Sequence, residues 1–372
     1  MKCSKLIGIL AVAMLASCGR HTQGSTDQGD TIPMHYARNL TMVAHEGYTE
    51  VMIRNPWDTT SVLHHYALVE QGNQATLPHG ATVVNVPLRR AGIFTAVHCG
   101  LVKELGCEPS IRGICEIKYI NIPSIRKAVK EGRVANFGSA MEPTIEIIMD
   151  AQPDGLLISP FENSGGYGRV ERLGIPIIEC ADYMEYSPLA RAEWMRFYGR
   201  LFGQGKRADS LFLSVEQSYV SLRARVGKVD HRPTLVAEKP YSGVWYVPGG
   251  NSTMGILYQD AGADYLFADR QKNGSLALSV ETVFEVGQQA DIWLIKYNQP
   301  TPLTREQLKA DYPLFAHFRS FQTGRIYGCN QETSRFYEET PYHPDRLLSN
   351  LVEIIHPELG IEAGKAYFCK VE

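Results

Sequence analysis

The sequence predicts an α/β protein: two lobes with mainly parallel sheets joined by a single long spine helix, with an antiparallel ribbon on the N-terminal side. Three observations carry this prediction. From Ala81 onward short β-rich runs alternate with helical patterns, and the alternation returns after residue 230. Between the two blocks, Lys206 to Val226 runs without glycine or proline, with Leu211, Val215, Tyr219, Leu222 and Val226 on one helical face. A chain of 372 residues has room for two such domains.

The elements follow in order. Met42–Ala44, Glu50–Ile53 and Tyr66–Val69 have the alternation of an antiparallel ribbon, interrupted at Asn55-Pro56-Trp57. Thr82–Val86, Ile111–Cys115, Gly155–Ser159 and Pro176–Glu179 are predicted parallel strands, with helices over Phe94–Leu105, Pro123–Glu131 and Pro143–Ala151 between them. Ser187-Pro188 starts a helix, because the hydroxyl caps it and proline suits its first turn. The spine helix, at ~1.5 Å per residue, is about 30 Å long, the breadth of a small domain. Thr234–Glu238, Ile292–Ile295 and Arg325–Tyr327 are the strands of the second block. Thr144–Asp150 and Ser279–Glu285 echo each other, each with a hydroxyl, a β-branched residue and a glutamate ahead of a strand.

Composition excludes several classes. Apolar residues are 44% and charged residues 21%, the balance of a globular chain. With 37 basic and 40 acidic residues the net charge is −3, which argues against a nucleic-acid binder built on phosphate contacts. Eight cysteines are too few for a disulfide scaffold, and no CxxC occurs. The histidines show neither HxxxH nor HExxH, so no metal or cofactor is implied. G-x-S-x-G, P-loop and Rossmann signatures are likewise missing, and no catalytic residue is assigned.

The N-terminus sets the compartment. Lys2 and Lys5 precede the apolar stretch Leu6–Ala16, which is too short to cross a bilayer core of about 30 Å comfortably and has the build of a secretory signal. It ends Leu15-Ala16-Ser17-Cys18, which resembles the bacterial lipoprotein box, implying cleavage before Cys18 and lipidation of that cysteine. The mature chain then holds 35 basic and 40 acidic residues, a net charge of −5. Gly19–Thr31 has no large apolar side chain and is expected to be a flexible tether. The expected organisation is a signal peptide over 1–17, a tether over 18–31, an N-terminal lobe over 32–204, the spine over 205–226 and a C-terminal lobe over 227–372.

Taken in order, these features resemble the substrate-binding proteins of ABC importers that bind cobalamin, ferric siderophores or haem. The residues that carry the resemblance are the lipoprotein signal, Val86-Pro87 ahead of a helix ending Glu104-Leu105-Gly106, and Glu146 ahead of Gln152–Ile158. The spine helix, Ala261–Leu266, and Ser279-Val280-Glu281 ahead of Ala290-Asp291-Ile292 complete it, over roughly residues 81 to 355; residues 32–80 depart from the family pattern. The resemblance implies a non-enzymatic, lipid-anchored protein of the periplasm or cell envelope. It would capture an iron chelate between two rigid lobes and deliver it to an ABC permease. Glu146 and Glu281 match the glutamates that dock on permease arginines; their simpler role is to complement the dipoles of their helices. Cobalamin is the alternative ligand, and a surface hydrolase the alternative class.

Ligands of open parallel sheets bind beyond the carboxyl ends of the strands. That rule selects Arg89, Arg90, Tyr119, Ser139, Met141 and Phe161 on the first lobe. On the second it selects Tyr241, Trp245, Tyr246, Asn251, Lys296, Tyr297 and Arg335. The segment Tyr241–Ser252, with aromatics beside a glycine-rich turn, offers flat apolar walls and backbone N–H groups, unless Trp245 and Tyr246 pack into the core. Arg89 and Arg90 have the chemistry to neutralise an anionic chelate.

Overall fold

In the computed structural model, which describes residues 29–162 and 166–372, the chain builds four sheets. Strands are numbered along the chain. The first sheet holds β1 (Asp30–Ile32), β2 (Leu40–His45), β3 (Tyr48–Arg54), β4 (Val62–Glu70) and β5 (Thr82–Val86), in that spatial order. Its first four strands are antiparallel, and Leu40, Met42, Val51 and Ile53 turn inward while Thr41, Met52 and Arg54 face out. Two expectations are corrected here. Asp30 and Thr31, assigned to the tether, pair with Ala44 and Val43. Thr82–Val86, expected to open the parallel sheet of the first lobe, pairs in parallel with β4 instead.

The second sheet is fully parallel: β6 (Ala91–Ile93), β7 (Ile111–Cys115), β8 (Ala135–Gly138), β9 (Gly155–Ile158) and β10 (Ile177–Glu179), in the order β10-β9-β6-β7-β8. The chain therefore winds outward from β6 through β7 to β8, then returns to the other side of β6 for β9 and β10. Gly92 and Gly113 allow this core to close. A Cβ at Gly92 would lie 2.5 Å from Leu156, and one at Gly113 would lie 1.9 Å from the Phe137 ring.

After β11 (Thr234–Ala237), the chain inserts an antiparallel sheet of β12 (Pro240–Tyr241), β13 (Val244–Pro248) and, later, β15 (Ser275–Ser279). With β14 (Asp264–Tyr265), β16 (Ile292–Tyr297), β17 (Ile326–Asn330) and β18 (Cys369–Lys370), β11 forms the last sheet, ordered β14-β11-β16-β17-β18. It is parallel except at β18.

A 22-residue helix, Gly205–Val226, lies between the two α/β units in sequence and buries Ala208, Phe212, Val215, Tyr219 and Val226. It packs on Met195–Leu201 from the first unit and on Pro344–Ile355 from the second. Ser187 caps the helix Pro188–Glu193 through the Ala190 amide, but the chain breaks at Trp194 before continuing as Met195–Leu201.

Two buried glutamates tie the N-terminal segment to this region. Glu193 accepts the amides of His35, Tyr36 and Ala37, each at 2.8 Å, and Glu185 accepts those of Arg38 and Asn39. The Tyr66 hydroxyl donates to Ile177 O and accepts from the Glu179 amide, both at 2.9 Å. The first sheet thus covers the open edge of β10, an edge that would otherwise offer unpaired backbone groups. Cys99, Cys107, Cys115, Cys180 and Cys329 are buried free thiols and Cys369 is an exposed one. Among the described residues no helix is long and apolar enough to cross a membrane.

Candidate functional site

The strand order places the site. In the second sheet the winding reverses at β6, with β7 on one side and β9 on the other, and such a switch point opens a crevice at the carboxyl ends of the strands. A cavity of about 700 Å³ lies there. Phe94 and Thr95, following β6, and Ile158, ending β9, form its floor; Met141, Phe161 and Tyr167 contribute side walls.

Thr95 is held by a buried polar chain. Its Oγ1 lies 2.6 Å from His98 Nδ1, and His98 Nε2 lies 3.1 Å from Asp182 Oδ1. Asp182 also accepts Tyr198 OH at 2.8 Å and Arg191 Nε at 3.0 Å. Burial pushes the Asp182 carboxyl up, but Arg191, His98 and Tyr198 together outweigh it and bring its pKa down to about 2. Thr95 Oγ1 and His98 Nδ1 share one hydrogen bond, whose donor is set by the imidazole's protonation. In either case Oγ1 keeps a lone pair to accept a donor from the cavity. Sequence reasoning missed this chain, because its members are 84 residues apart.

The other first-unit candidates lie at the same end of the sheet. Glu116, in a left-handed backbone conformation after β7, accepts Ser139 Oγ at 3.2 Å and the Ala140 amide at 3.0 Å. Ser139 Oγ in turn accepts the Met141 amide, which leaves the Met141 side chain 70% exposed. Tyr119 is exposed, with Lys118 Nζ 4.7 Å from its ring centre. Two residues on, Asn121 reaches the second unit: its amide donates to Glu338 Oε1 at 2.5 Å and its Nδ2 to Gln331 O at 3.0 Å.

The second unit overturns much of what its sequence offered. Trp245 is fully buried, donates Nε1–H to Ala237 O at 3.0 Å, and packs on Trp293, Phe315 and Phe318. It is a core residue and not a ligand wall. The glycine-rich turn has no free donors at its centre: the Gly249 amide bonds to Gly274 O and that of Gly250 to Arg270 O. A Cβ at Gly250 would lie 2.1 Å from Ala268 O, so the glycines serve backbone packing. Tyr241 and Tyr246 are exposed, on β12 and β13. Asn251 Nδ2 bonds to Gln271 Oε1 at 2.6 Å.

Lys296 is half-buried and bonded through Nζ to Glu238 Oε1; desolvation lowers its pKa, but the Glu238 carboxylate more than offsets this and raises it. Its charge is spent inside the protein. Arg335 pairs with Glu339 at 3.3 Å and shares with Tyr297 a separate cavity of about 430 Å³, which has no lining residue in common with the one at β6 and β9.

Arg89 and Arg90 precede β6 and so stand at the amino end of the sheet. Their amides donate to Asp154, and the Arg90 guanidinium donates to Ala151 O and Gln152 O at the end of the helix Ile145–Ala151. The sequence placed them after a strand of this sheet; because that strand belongs to the first sheet, they leave the candidate set.

Glu146 and Glu281 each stand in the first turn of an exposed helix, Ile145–Ala151 and Val280–Gly287. Each carboxyl is held below its ordinary range, first by its own backbone amide; Arg169 lies 3.3 Å from Glu146, and Ser279 adds to the effect at Glu281. Cys18, the expected lipidation site, lies outside the described residues.

Two α/β units, each built on a mainly parallel sheet, with a cavity at the strand carboxyl ends of the first, define the class of bilobal binding proteins. Comparison with known proteins agrees: the periplasmic binding protein family profile matches residues 98–333, and the chain belongs to that family, in its class III. An uncharacterized lipoprotein of Methanocaldococcus jannaschii is 26% identical over 297 residues, which cover 77% of this chain and 69% of that protein. A second from the same organism is 24% identical over 94% of this chain and 91% of its own length. Among solved structures, a periplasmic haem-binding protein from Pseudomonas aeruginosa superposes with a TM-score of 0.59 at 17% identity, over 77% of this chain and 98% of that one. An ABC-type Fe3+-hydroxamate transport protein from Saccharomonospora viridis has a TM-score of 0.59 at 16% identity, over 82% and 98%. The fold is that of a substrate-binding transport protein.

Proposed function

We propose that this protein is a lipid-anchored, extracytoplasmic capture protein for an iron chelate, a ferric siderophore or haem, and that it delivers this ligand to an ABC permease. The observation that carries the reading is the cavity at the β6 switch point, of a volume suited to a small-molecule ligand and walled by Phe94, Met141, Phe161 and Tyr167. Aromatic and thioether walls suit a large flat or macrocyclic ligand, and Thr95 supplies an acceptor for a ligand hydroxyl or amide. Tyr119, Ser139, Tyr241 and Tyr246 are the exposed groups we assign to the rim; Asn251, Tyr297 and Arg335 stand further out on the second unit. The helix Gly205–Val226 acts as the spine between lobes, residues 30–86 form a sheet added to the first lobe, and Cys18 carries the anchor. The haem- and hydroxamate-related neighbours direct the choice of ligand class, with cobalamin as the alternative within it.

Titration of the purified protein with haemin, ferrioxamine and cobalamin, followed by absorbance and calorimetry, tests this reading. One of the two iron chelates is expected to bind, and Phe161→Ala to weaken it by about tenfold, as loss of a large apolar contact does. Binding of cobalamin alone replaces the ligand; turnover of an ester or glycoside with none of the three bound overturns the reading. We further assign Glu146 and Glu281 to permease docking. E146K/E281K is expected to abolish uptake at unchanged ligand affinity, and a parallel loss of affinity removes the docking role.

A further inference from the structure

The first sheet, which departs from the family pattern, does more than cover an edge. Where its β3–β4 turn meets the ends of β9 and β10 it encloses a second cavity, of about 490 Å³. Trp57 and His64 come from the added sheet, and Phe161, Tyr167, Glu171 and Glu179 from the α/β unit. Phe161, Gly166 and Tyr167 line both this cavity and the one at the β6 switch point.

Its chemistry is one-sided. Two carboxylates and three aromatic rings besides His64 line it, and neither lysine nor arginine does. Glu179 is buried, at 8% exposure, and its Oε2 has no hydrogen-bond partner. Burial, and then the Glu179 carboxylate through its charge and a side-chain hydrogen bond, raise the pKa of the Tyr167 hydroxyl, so this hydroxyl is directed at Glu179. The nearest cationic candidate, His64 Nδ1, stands 3.8 Å from Glu179 Oε1. That imidazole is fixed where it is, stacked 4.1 Å from Tyr66 with Nε2 2.8 Å from Thr82 Oγ1. A buried carboxylate oxygen with no hydrogen-bond partner is costly, and Glu179 lines a space large enough for a ligand. Glu171 Oε1 accepts the Tyr167 amide at 2.6 Å and the side chain is exposed, so Glu179 is the buried carboxylate of the cavity.

We propose that this cavity is a second small-molecule site, taking the primary ammonium group of an organic cation between Glu179 Oε2 and the Tyr167 hydroxyl, with Trp57 and Phe161 as aromatic walls. A primary ammonium supplies N–H donors to Glu179 Oε2 and to the lone pairs of the Tyr167 hydroxyl, and its charge is favoured over aromatic faces. A metal ion fits less well: among the described residues no three His, Cys, Asp or Glu side chains gather as a metal site.

The protein carries its own reporter. Of its four tryptophans, Trp194, Trp245 and Trp293 are fully buried, and Trp57 is partly exposed in this cavity. Titration of the full chain with phenethylamine near pH 7 is expected to change tryptophan fluorescence saturably, with calorimetry giving the same affinity. Trp57→Phe should abolish the optical change and leave the heat. Glu179→Gln, isosteric and uncharged, should weaken binding by at least about tenfold, with its thermal melt confirming a folded protein. The neutral 2-phenylethanol and the N,N,N-trimethyl analogue should bind at least about tenfold more weakly than the primary amine. Undiminished binding to Glu179→Gln, equal binding of the neutral alcohol, or no saturable signal by either method overturns the proposal. Because haemin and ferrioxamine are titrated separately, failure here leaves the iron-chelate reading standing, and failure of that reading leaves this one.

Discussion

The two α/β units treat their polar groups in opposite ways. In the first, a buried ion network, Asp182 with Arg191, Tyr198 and His98, ends on a hydroxyl that lines a cavity, and Glu116 organises a loop whose Met141 side chain stays exposed. In the second, most groups at the corresponding strand ends are engaged internally: Lys296 by Glu238, the Nε of Arg335 by Glu339, and the turn amides of Gly249 and Gly250 by Gly274 and Arg270. A charged or polar residue at the end of a strand is therefore a ligand candidate only when its own neighbours leave it a free valence. On that criterion the first unit carries most of the polar recognition, and the second offers the exposed rings of Tyr241 and Tyr246 and the outer nitrogens of Arg335.

The largest expected effect tests the network itself. Asp182→Asn leaves Arg191 facing a neutral amide in a buried site, which costs about 3 kcal/mol; urea unfolding at pH 7 measures it. The pH dependence has a definite sign. The folded pKa of Asp182 is depressed to about 2 from an ordinary 3.8, so its stabilisation is present above about pH 4 and disappears as pH falls toward 2. That contribution is on the order of 2 kcal/mol, and the acid limb of the stability profile should flatten by this amount in the Asn variant. An unchanged profile would mean that Asp182 does not anchor the chain leading to Thr95.

A double-mutant cycle at Glu238 and Lys296 asks the complementary question. Each single change, Glu238→Gln or Lys296→Met, strands a half-buried partner and is expected to cost about 2–3 kcal/mol. The double variant should recover most of that loss, with a coupling energy of about 2 kcal/mol. Affinity for haemin or ferrioxamine should be the same in the double variant as in the parent. A drop would return Lys296 to the ligand site.

The same contrast explains which parts of the molecule were legible in the sequence. The long helix and several strands of the second and last sheets announce themselves through local patterning, as in Ile111–Cys115 and Ile292–Ile295, while Ala135–Gly138 and Asp264–Tyr265 do not. Pairing partners are not local: Thr82–Val86 is a strand as expected, yet it joins β4, and the true opening strand, Ala91–Ile93, is three residues with a central glycine that no β-pattern marks. Trp245 had a usable signal. Val244–Pro248 alternates, so Trp245 and Tyr246 cannot both face solvent, and strand parity assigns only Tyr246 to it. Whether Lys296 is free depends on Glu238, 58 residues away in the chain, whereas the pairing of Arg335 with Glu339 four residues on had a local signal.

The smallest effect concerns the arginines that the sequence favoured and the fold relocated. Arg90 binds the terminal carbonyls of the helix Ile145–Ala151, where a cation also complements the helix dipole, so Arg90→Ala is expected to cost about 0.5–1 kcal/mol. Arg89 contributes only its amide to Asp154, which an alanine retains. Neither side chain lines the cavity at β6 and β9, and they stand at the opposite end of that sheet. Their charges are further screened over a Debye length of about 8 Å at physiological salt. R89A/R90A should therefore leave the affinity for an anionic chelate unchanged within about twofold at 0.15 M salt. A loss of tenfold or more, growing as salt is lowered, would put these arginines back at the ligand and make the amino end of the sheet part of the site.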